Sequence, residues 1–201
     1  MSTINRKVIF MTRTYAYKEA LEASKEYFDG DELAASVWVS KYALKDGMGN
    51  IYEKTPSDMH RRMAKEIARI ENNYPNPMSE DEVFYLFDHF KYIVPQGGSM
   101  TGIGNNFQIV SLSNCFVVGS NNHEDSYGSI MRTDEEQIQL VKRRGGVGHD
   151  LSHLRPSEAP VSNAALTSTG AASFMERYSN SMREVGQGGR RKELFFCLSL
   201  N

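Results

Sequence analysis

Cysteine and long apolar runs are both scarce in this sequence. Cys115 and Cys197 are the only cysteines among 201 residues, which is too few for a disulfide framework. No apolar run approaches the roughly 20 residues of a membrane span, and MSTINRKVIF at the start lacks the longer apolar segment of a secretory signal. We therefore expect a cytoplasmic protein with reduced thiols and no membrane partner.

An excess of positive charge is also missing. The formal net charge is −2 at pH 7, whereas general binders of nucleic acid or membrane surfaces need a basic excess. None of the glycine-rich segments reads Gly-x4-Gly-Lys-Ser/Thr, so a P-loop is excluded. What the chain does have is 40% hydrophobic residues, enough for the core of one domain, or of one domain and part of a second.

The first ninety or so residues have helical patterns. Met59, Met63 and Ile67 recur at the helix period. Asp31 is placed to cap one helix, and Ser79 with Glu82 forms the capping box of another. The predicted helices cover residues 17–28, 31–44, 55–71 and 79–90. These patterns indicate a helical layer, and we assign no chemistry to it.

A different pattern begins at Pro95. We predict a loop over residues 95–106, a strand buried on both faces over 107–119, and two helical pieces, the second capped by Thr133. An extended piece, a long loop, a helix and a last strand follow. This order favours an α/β fold with a mainly parallel sheet, and it divides the chain into a helical domain, 1–94, and an α/β domain, 95–201.

Glycine lies beside arginine in KRRGGVGHD and GQGGRRK, and a third glycine-rich segment reads GGSMTGIGNN. Exposed backbone N–H groups and guanidinium forks suit a polyphosphate, but turns with solvated charges look the same. Cys115 is either an inert buried thiol or a redox thiol facing a pocket. His149 and His153 have the spacing of a metal pair on a helix, but their segment looks extended, which disfavours a metal.

Five motifs follow one another in an order that resembles the large, catalytic subunit of ribonucleotide reductase. They are GSMTGIGNNFQIVSLSNCFVVG, DSYGSI, VKRRGGVGHDLSHLRP, ALTSTGAASFMERYSNS and GQGGRR. The resemblance implies a helical N-terminal domain followed by the first elements of a ten-stranded α/β barrel. It also implies that the chain is the N-terminal portion of such a subunit and ends just inside the barrel.

The resemblance implies roles for three residues near the first barrel strand. Cys115 matches the family's catalytic thiol, one of two that reduce the ribose 2′ position and become a disulfide. Ser99 and Asn114 fall at positions that line the substrate. Cys197 lies in a different strand and matches none of the family's reactive cysteines.

A second group of residues matches the site for the specificity effector, a deoxynucleoside triphosphate or ATP. Asp125 and Ser126 match the pair on the ribose and base side, and Arg155 matches the arginine that binds phosphate. Gln187 and Arg191 match the loop that passes effector identity to the substrate base. The family site lies at a dimer interface, which implies a homodimer.

Two hypotheses about function remain open. The chain is the N-terminal fragment of a reductase, active on ribonucleotides only with the remainder of the large subunit, or it is a non-catalytic nucleotide-binding or interaction module, or a degenerate remnant. Lys192 and Glu193 stand where the family has glycine and alanine, which favours the second, whereas the motifs before them are intact, which favours the first. We expect no cofactor on this chain, since the family's radical source is a metal-bearing small subunit or a cobalamin.

Overall fold

The computed structural model describes residues 13–119, 124–185 and 194–197, the last of these as backbone only. The chain divides after Leu112 into two compact units. The predicted domain boundary, between residues 94 and 95, stays a prediction, and residues 95–112 group by their contacts with the helical unit. Within the described ranges, no helix is both long and apolar enough to cross a bilayer.

The first unit consists of helices, and all four that the sequence predicts are confirmed. Asp31 caps the second by accepting a hydrogen bond from the N–H of Ala34 at 2.9 Å, and Ser79 and Glu82 form the predicted capping box. The helices are α1 (Tyr17–Tyr27), α2 (Glu32–Lys41), α3 (Pro56–Glu71), α4 (Glu80–Phe87) and α5 (Gly97–Gly102), with a 3-10 turn at Asp88–Phe90 after α4.

The core of the helical unit lies where α1, α2, α3 and α4 meet. Trp38 from α2 packs there with Met59 and Met63 from α3, and its indole N–H points at the sulfur of Met59 at 3.5 Å. The helical spacing of the two methionines places both on the buried face of α3. This core fixes the position of α3. Arg62, also on α3, contacts the segment around α5 through hydrogen bonds to the carbonyls of Met100 and Ile103.

The second unit has α/β architecture. Strands β1 (Cys115–Val118), β2 (Gly146–Asp150) and β3 (Leu194–Cys197) form a parallel sheet in the order β1-β2-β3, and α6 (Tyr127–Val141) and α7 (Ala171–Val185) connect them. Parallel neighbours require such crossover connections. The predicted combination of a helical domain and the first parallel strands of a barrel is confirmed.

Three local predictions are wrong. The loop over 95–106 contains α5, in which the Thr101 hydroxyl donates to the carbonyl of Gly97 at 2.9 Å. The strand predicted over 107–119 shortens to β1. The two predicted helical pieces are one helix, α6, because Ser126 rather than Thr133 is the N-cap, and Thr133 is buried within the helix.

The two faces of the sheet differ. On one face, Val147 packs with Val141 of α6 and Met182 of α7. On the other face, Val117 is 86% exposed. β1 was predicted to be buried on both faces, and this is wrong: helices of the described part cover only one of them.

Candidate functional site

Cys115 begins β1 and is exposed. The register pairs it with Gly146 and pairs Val117 with Gly148, and residues paired in a parallel ladder point to the same face. Both glycines therefore lie beside Cys115 and Val117 on the uncovered face. Because glycine has no side chain, a ligand near the thiol can approach the backbone closely. This exposure argues against an inert buried thiol.

Cys197 cannot be the disulfide partner of Cys115 in this sheet. Cys115 pairs with Gly146 at the start of β2, whereas Cys197 pairs with Asp150 at its end. The two positions are thus about 13 Å apart along the strands and about 10 Å apart across them. Cystines need Cα atoms within about 7 Å of each other.

The two residues predicted to line the substrate lie in different units. Asn114 precedes Cys115, and its carbonyl accepts a hydrogen bond from the N–H of Gly146 at 2.6 Å, so it starts the ladder between β1 and β2. Ser99 is partly buried in α5, where its carbonyl accepts from the N–H of Ile103 at 3.1 Å. Their roles toward a substrate stay predictions.

Asp125 and Arg155 come together in the structure, although they are 30 residues apart in sequence. The Nε of Arg155 donates to the Asp125 carboxylate, and its backbone N–H reaches the same oxygen at 3.3 Å. Nη1 donates to the carbonyl of Pro160 at 2.9 Å and Nη2 to that of Asp125 at 3.3 Å. The guanidinium is therefore held in one orientation.

This ion pair stands next to the N-terminus of α6. Ser126 caps the helix by accepting from the N–H of Ser129 at 3.2 Å, and the positive end of the helix dipole favours anions. The Arg155 side chain keeps 36% of its surface exposed. Three of the five N–H groups of the guanidinium donate in these contacts, and the others are on its two Nη atoms.

Gln187 and Arg191, together with Lys192 and Glu193, lie outside the described residues. In the parts of the chain that the structure describes, no three His, Cys, Asp or Glu side chains come together as metal ligands.

The sequence analysis did not identify a buried polar network between β2, α6 and α7. Nε2 of His149 in β2 lies 2.8 Å from Oε1 of Gln137 in α6, and the imidazole stacks on the Tyr178 ring of α7 at 4.5 Å between centroids. Nε2 of Gln137 donates to Asp134 at 2.7 Å and to the carbonyl of Tyr178 at 3.0 Å. The spacing of Asp134 and Gln137, three apart on one helix, was the available signal.

The network has a clear electrostatic consequence. Burial lowers the pKa of His149 to about 4, and the Asp134 carboxylate opposes this shift. Burial also raises the pKa of Tyr178 to about 12. His149 is therefore neutral at physiological pH, and it joins β2 to α6 and α7 as a structural side chain.

Two family models match the chain. The all-alpha domain of ribonucleotide reductase matches residues 28–97, and the barrel domain of ribonucleotide reductase matches residues 113–196. The chain belongs to the ribonucleotide reductase large-subunit family. The barrel match begins at Ser113, the first residue of the second unit.

Sequence relatives agree with this membership. The vitamin B12-dependent ribonucleoside-diphosphate reductase of Thermoplasma acidophilum is 25% identical over 214 residues, covering 79% of this chain and 27% of the relative. Ribonucleoside-diphosphate reductase large chain 2 of Saccharomyces cerevisiae is 29% identical over 89 residues, covering 44% of this chain and 10% of the relative. The large subunit of Variola virus is 30% identical over 81 residues, covering 40% and 10%. The chain thus spans about a quarter or less of the length of these relatives.

The exposure of Cys115 leads to a direct prediction. In a Cys197→Ser variant, we expect iodoacetamide to alkylate Cys115 in the folded protein within about tenfold of the rate in urea, because access does not limit an exposed thiol. Peptide mass spectrometry with time measures both rates. Protection of roughly a hundredfold or more in the folded protein would contradict an open face at Cys115.

Proposed function

We propose that this chain is the N-terminal part of a cytoplasmic ribonucleotide reductase large subunit that supplies one reducing thiol and an effector site. The observation that carries the proposal is the exposed Cys115 on the open face of a parallel sheet, beside Gly146 and Gly148. In the proposed reaction the ribose 2′ hydroxyl leaves as water. Two electrons come from a thiol pair that becomes a disulfide, and the product is a deoxyribonucleotide for DNA synthesis.

On this proposal the chain is inactive alone. Cys197 lies too far from Cys115 to serve as the second thiol, so that thiol comes from the remainder of the large subunit. On the same proposal, the radical source, a metal-bearing small subunit or a cobalamin, is also supplied from outside this chain. Removing members of a catalytic unit costs many orders of magnitude in rate.

The test of the catalytic part is complementation. Ribonucleotide reduction is measured with the chain alone, with a protein that supplies the rest of the barrel, and with both, in the presence of a radical source. We expect activity only for the combination, and none when the chain carries Cys115→Ser. Equal activity of Cys115→Ser and the unaltered chain would remove Cys115 from the reaction.

We further propose that Asp125, Ser126 and Arg155 bind a deoxynucleoside triphosphate or ATP at a homodimer interface, with Gln187 and Arg191 from the following loop. Asp125 offers a carboxylate to ligand hydroxyls, and Arg155 offers N–H groups to phosphate beside the N-terminus of α6. Because Asp125, Ser126 and Arg155 all lie in the second unit, a nucleotide-binding module without catalysis is the second candidate function.

Arg155→Ala is expected to weaken nucleotide binding by about 1.5–3 kcal/mol, or roughly 10- to 150-fold in Kd, because charged hydrogen bonds to phosphate are lost. Calorimetry with a deoxynucleoside triphosphate on the full chain measures this effect. Arg143→Ala is the matched control, since Arg143 lies just after the other end of α6 and makes an exposed hydrogen bond to the carbonyl of Gln139. Equal losses in the two variants, or no binding by the unaltered chain at any protein concentration, would refute the effector site.

A further inference from the structure

The helical unit contains a buried ion pair to which the sequence assigned no role. Arg62 on α3 and Glu53, in the segment before it, have side chains only 7% and 1% exposed. Nε of Arg62 donates to Oε1 of Glu53 at 2.7 Å, and Nη2 lies 3.5 Å from Oε2. A second donor holds the carboxylate, since the N–H of Leu44 reaches Oε2 at 2.8 Å. Glu53 is thus fixed from two directions.

The other side of the Arg62 guanidinium faces the segment around α5. Nη2 donates to the carbonyl of Met100 at 2.8 Å, and Nη1 donates to the carbonyl of Ile103. Carbonyls at the C-terminal end of a helix have no partner within the helix. Arg62 supplies donors for two carbonyls at this end of α5.

Gly104 brings the backbone after α5 close to Arg62. Its φ is +71°, in the left-handed region, and a Cβ at this position would lie 2.8 Å from Cγ of Arg62. A side chain there would be strained and would push against the arginine. The chain after α5 therefore folds around the Arg62 side chain, which is why the segment GIGNN needs a glycine at this point.

We propose that Arg62, oriented by Glu53, is a positioning residue that holds the α5 segment and with it Ser99. The inference rests on the proposed function, ribonucleotide reduction, only where it uses the prediction that Ser99 lines the substrate. A planar guanidinium can meet the carboxylate and both carbonyls at once, whereas a lysine ammonium is a point charge without that geometry. Arg62 therefore fixes the distance between the carbonyls of Met100 and Ile103, which belong to the turn that follows Ser99.

The first test is hydrogen exchange on the full chain carrying Arg62→Lys, which keeps the positive charge beside Glu53. We expect exchange in residues 97–105 to rise by roughly tenfold or more, while peptides from α1 and α2 keep their protection. Arg61→Lys is the matched control, because Arg61 is the neighbouring residue and pairs with exposed Asp81. Unchanged exchange at 97–105, or a uniform rise across the whole unit, would overturn the positioning role.

The second test adds the substrate class to the same measurement. A ribonucleoside diphosphate, ADP, is expected to slow exchange at 97–105 in the unaltered chain and to bind Arg62→Lys at least about tenfold more weakly. If ADP leaves 97–105 unprotected while Arg62→Lys still loosens it, the substrate role of Ser99 fails and the positioning role stands. If ADP protects both proteins equally and at the same concentration, the positioning role fails and the substrate role stands.

Discussion

Glu53→Ala is expected to destabilise the helical unit by about 3–5 kcal/mol, because it leaves the Arg62 guanidinium buried without its counter-ion. Arginine cannot relieve this by losing its proton. The substitution also removes the acceptor for the buried N–H of Leu44.

Urea unfolding followed by fluorescence measures this effect cleanly. Trp38 is the only tryptophan of the chain, and it lies in the core of the helical unit, so its emission reports that unit. The control is Asp81→Ala, which breaks the 2.6 Å contact to Arg61 between side chains that are 43% and 89% exposed. We expect the control to cost at most about 1 kcal/mol, since exposed pairs contribute little. Similar costs for both substitutions would show that burial of Glu53 does not decide its contribution.

Acid is expected to destabilise the barrel unit through His149. The folded pKa of about 4 lies below the ordinary value of 6.5, so between these values the unfolded state binds more protons. Stability therefore falls as pH drops from 6.5 toward 4, by up to about 3 kcal/mol, and is constant above 6.5 as far as this residue is concerned. The Asp134 carboxylate moderates the loss, while Tyr178 and Arg177 are the other titratable groups of the network.

This loss must be measured on the second unit alone. Burial also lowers the pKa of His60 in the helical unit. Fluorescence of Trp38 would therefore report the acid sensitivity of the helical unit, to which His60 contributes and His149 does not. Resistance of α6 and α7 to pulse proteolysis in urea at pH 4.5 and pH 7 gives the required stability. His149→Gln should remove most of the difference between the two pH values, at some cost in stability at pH 7. A difference that survives His149→Gln unchanged would assign the acid sensitivity to another group.

Local sequence signals predicted much of the fold correctly. The Asp31 cap, the capping box of Ser79 and the apolar period of α3 act over three or four residues, and the helices they predict are present. One of the wrong predictions, the division of α6 into two pieces, arose because two residues of this segment could cap a helix. Ser126 and Thr133 are both possible caps, and the burial of Thr133 against α7 is not readable from neighbouring residues.

The candidate site was predictable only as separate residues. The ordered motifs pointed to Cys115, Asp125 and Arg155 individually, because each lies in a short recognisable segment. That Asp125 orients Arg155 could not be predicted, because it depends on how the chain folds between two residues 30 positions apart. The exposure of Cys115 could not be predicted either, because it depends on α6 and α7 packing against the other face of the sheet.

The sequence by itself determined the first four helices, the alternation of strands and helices in the second unit, and the family, since caps, periodicity and ordered motifs are written in neighbouring residues. The tertiary structure alone decided which polar groups are buried together. Glu53, Arg62 and Met100 span 47 residues, and His149 meets Gln137 and Tyr178 from three different elements. The physical reason is that the energy of a buried charge or imidazole depends on what surrounds it in space.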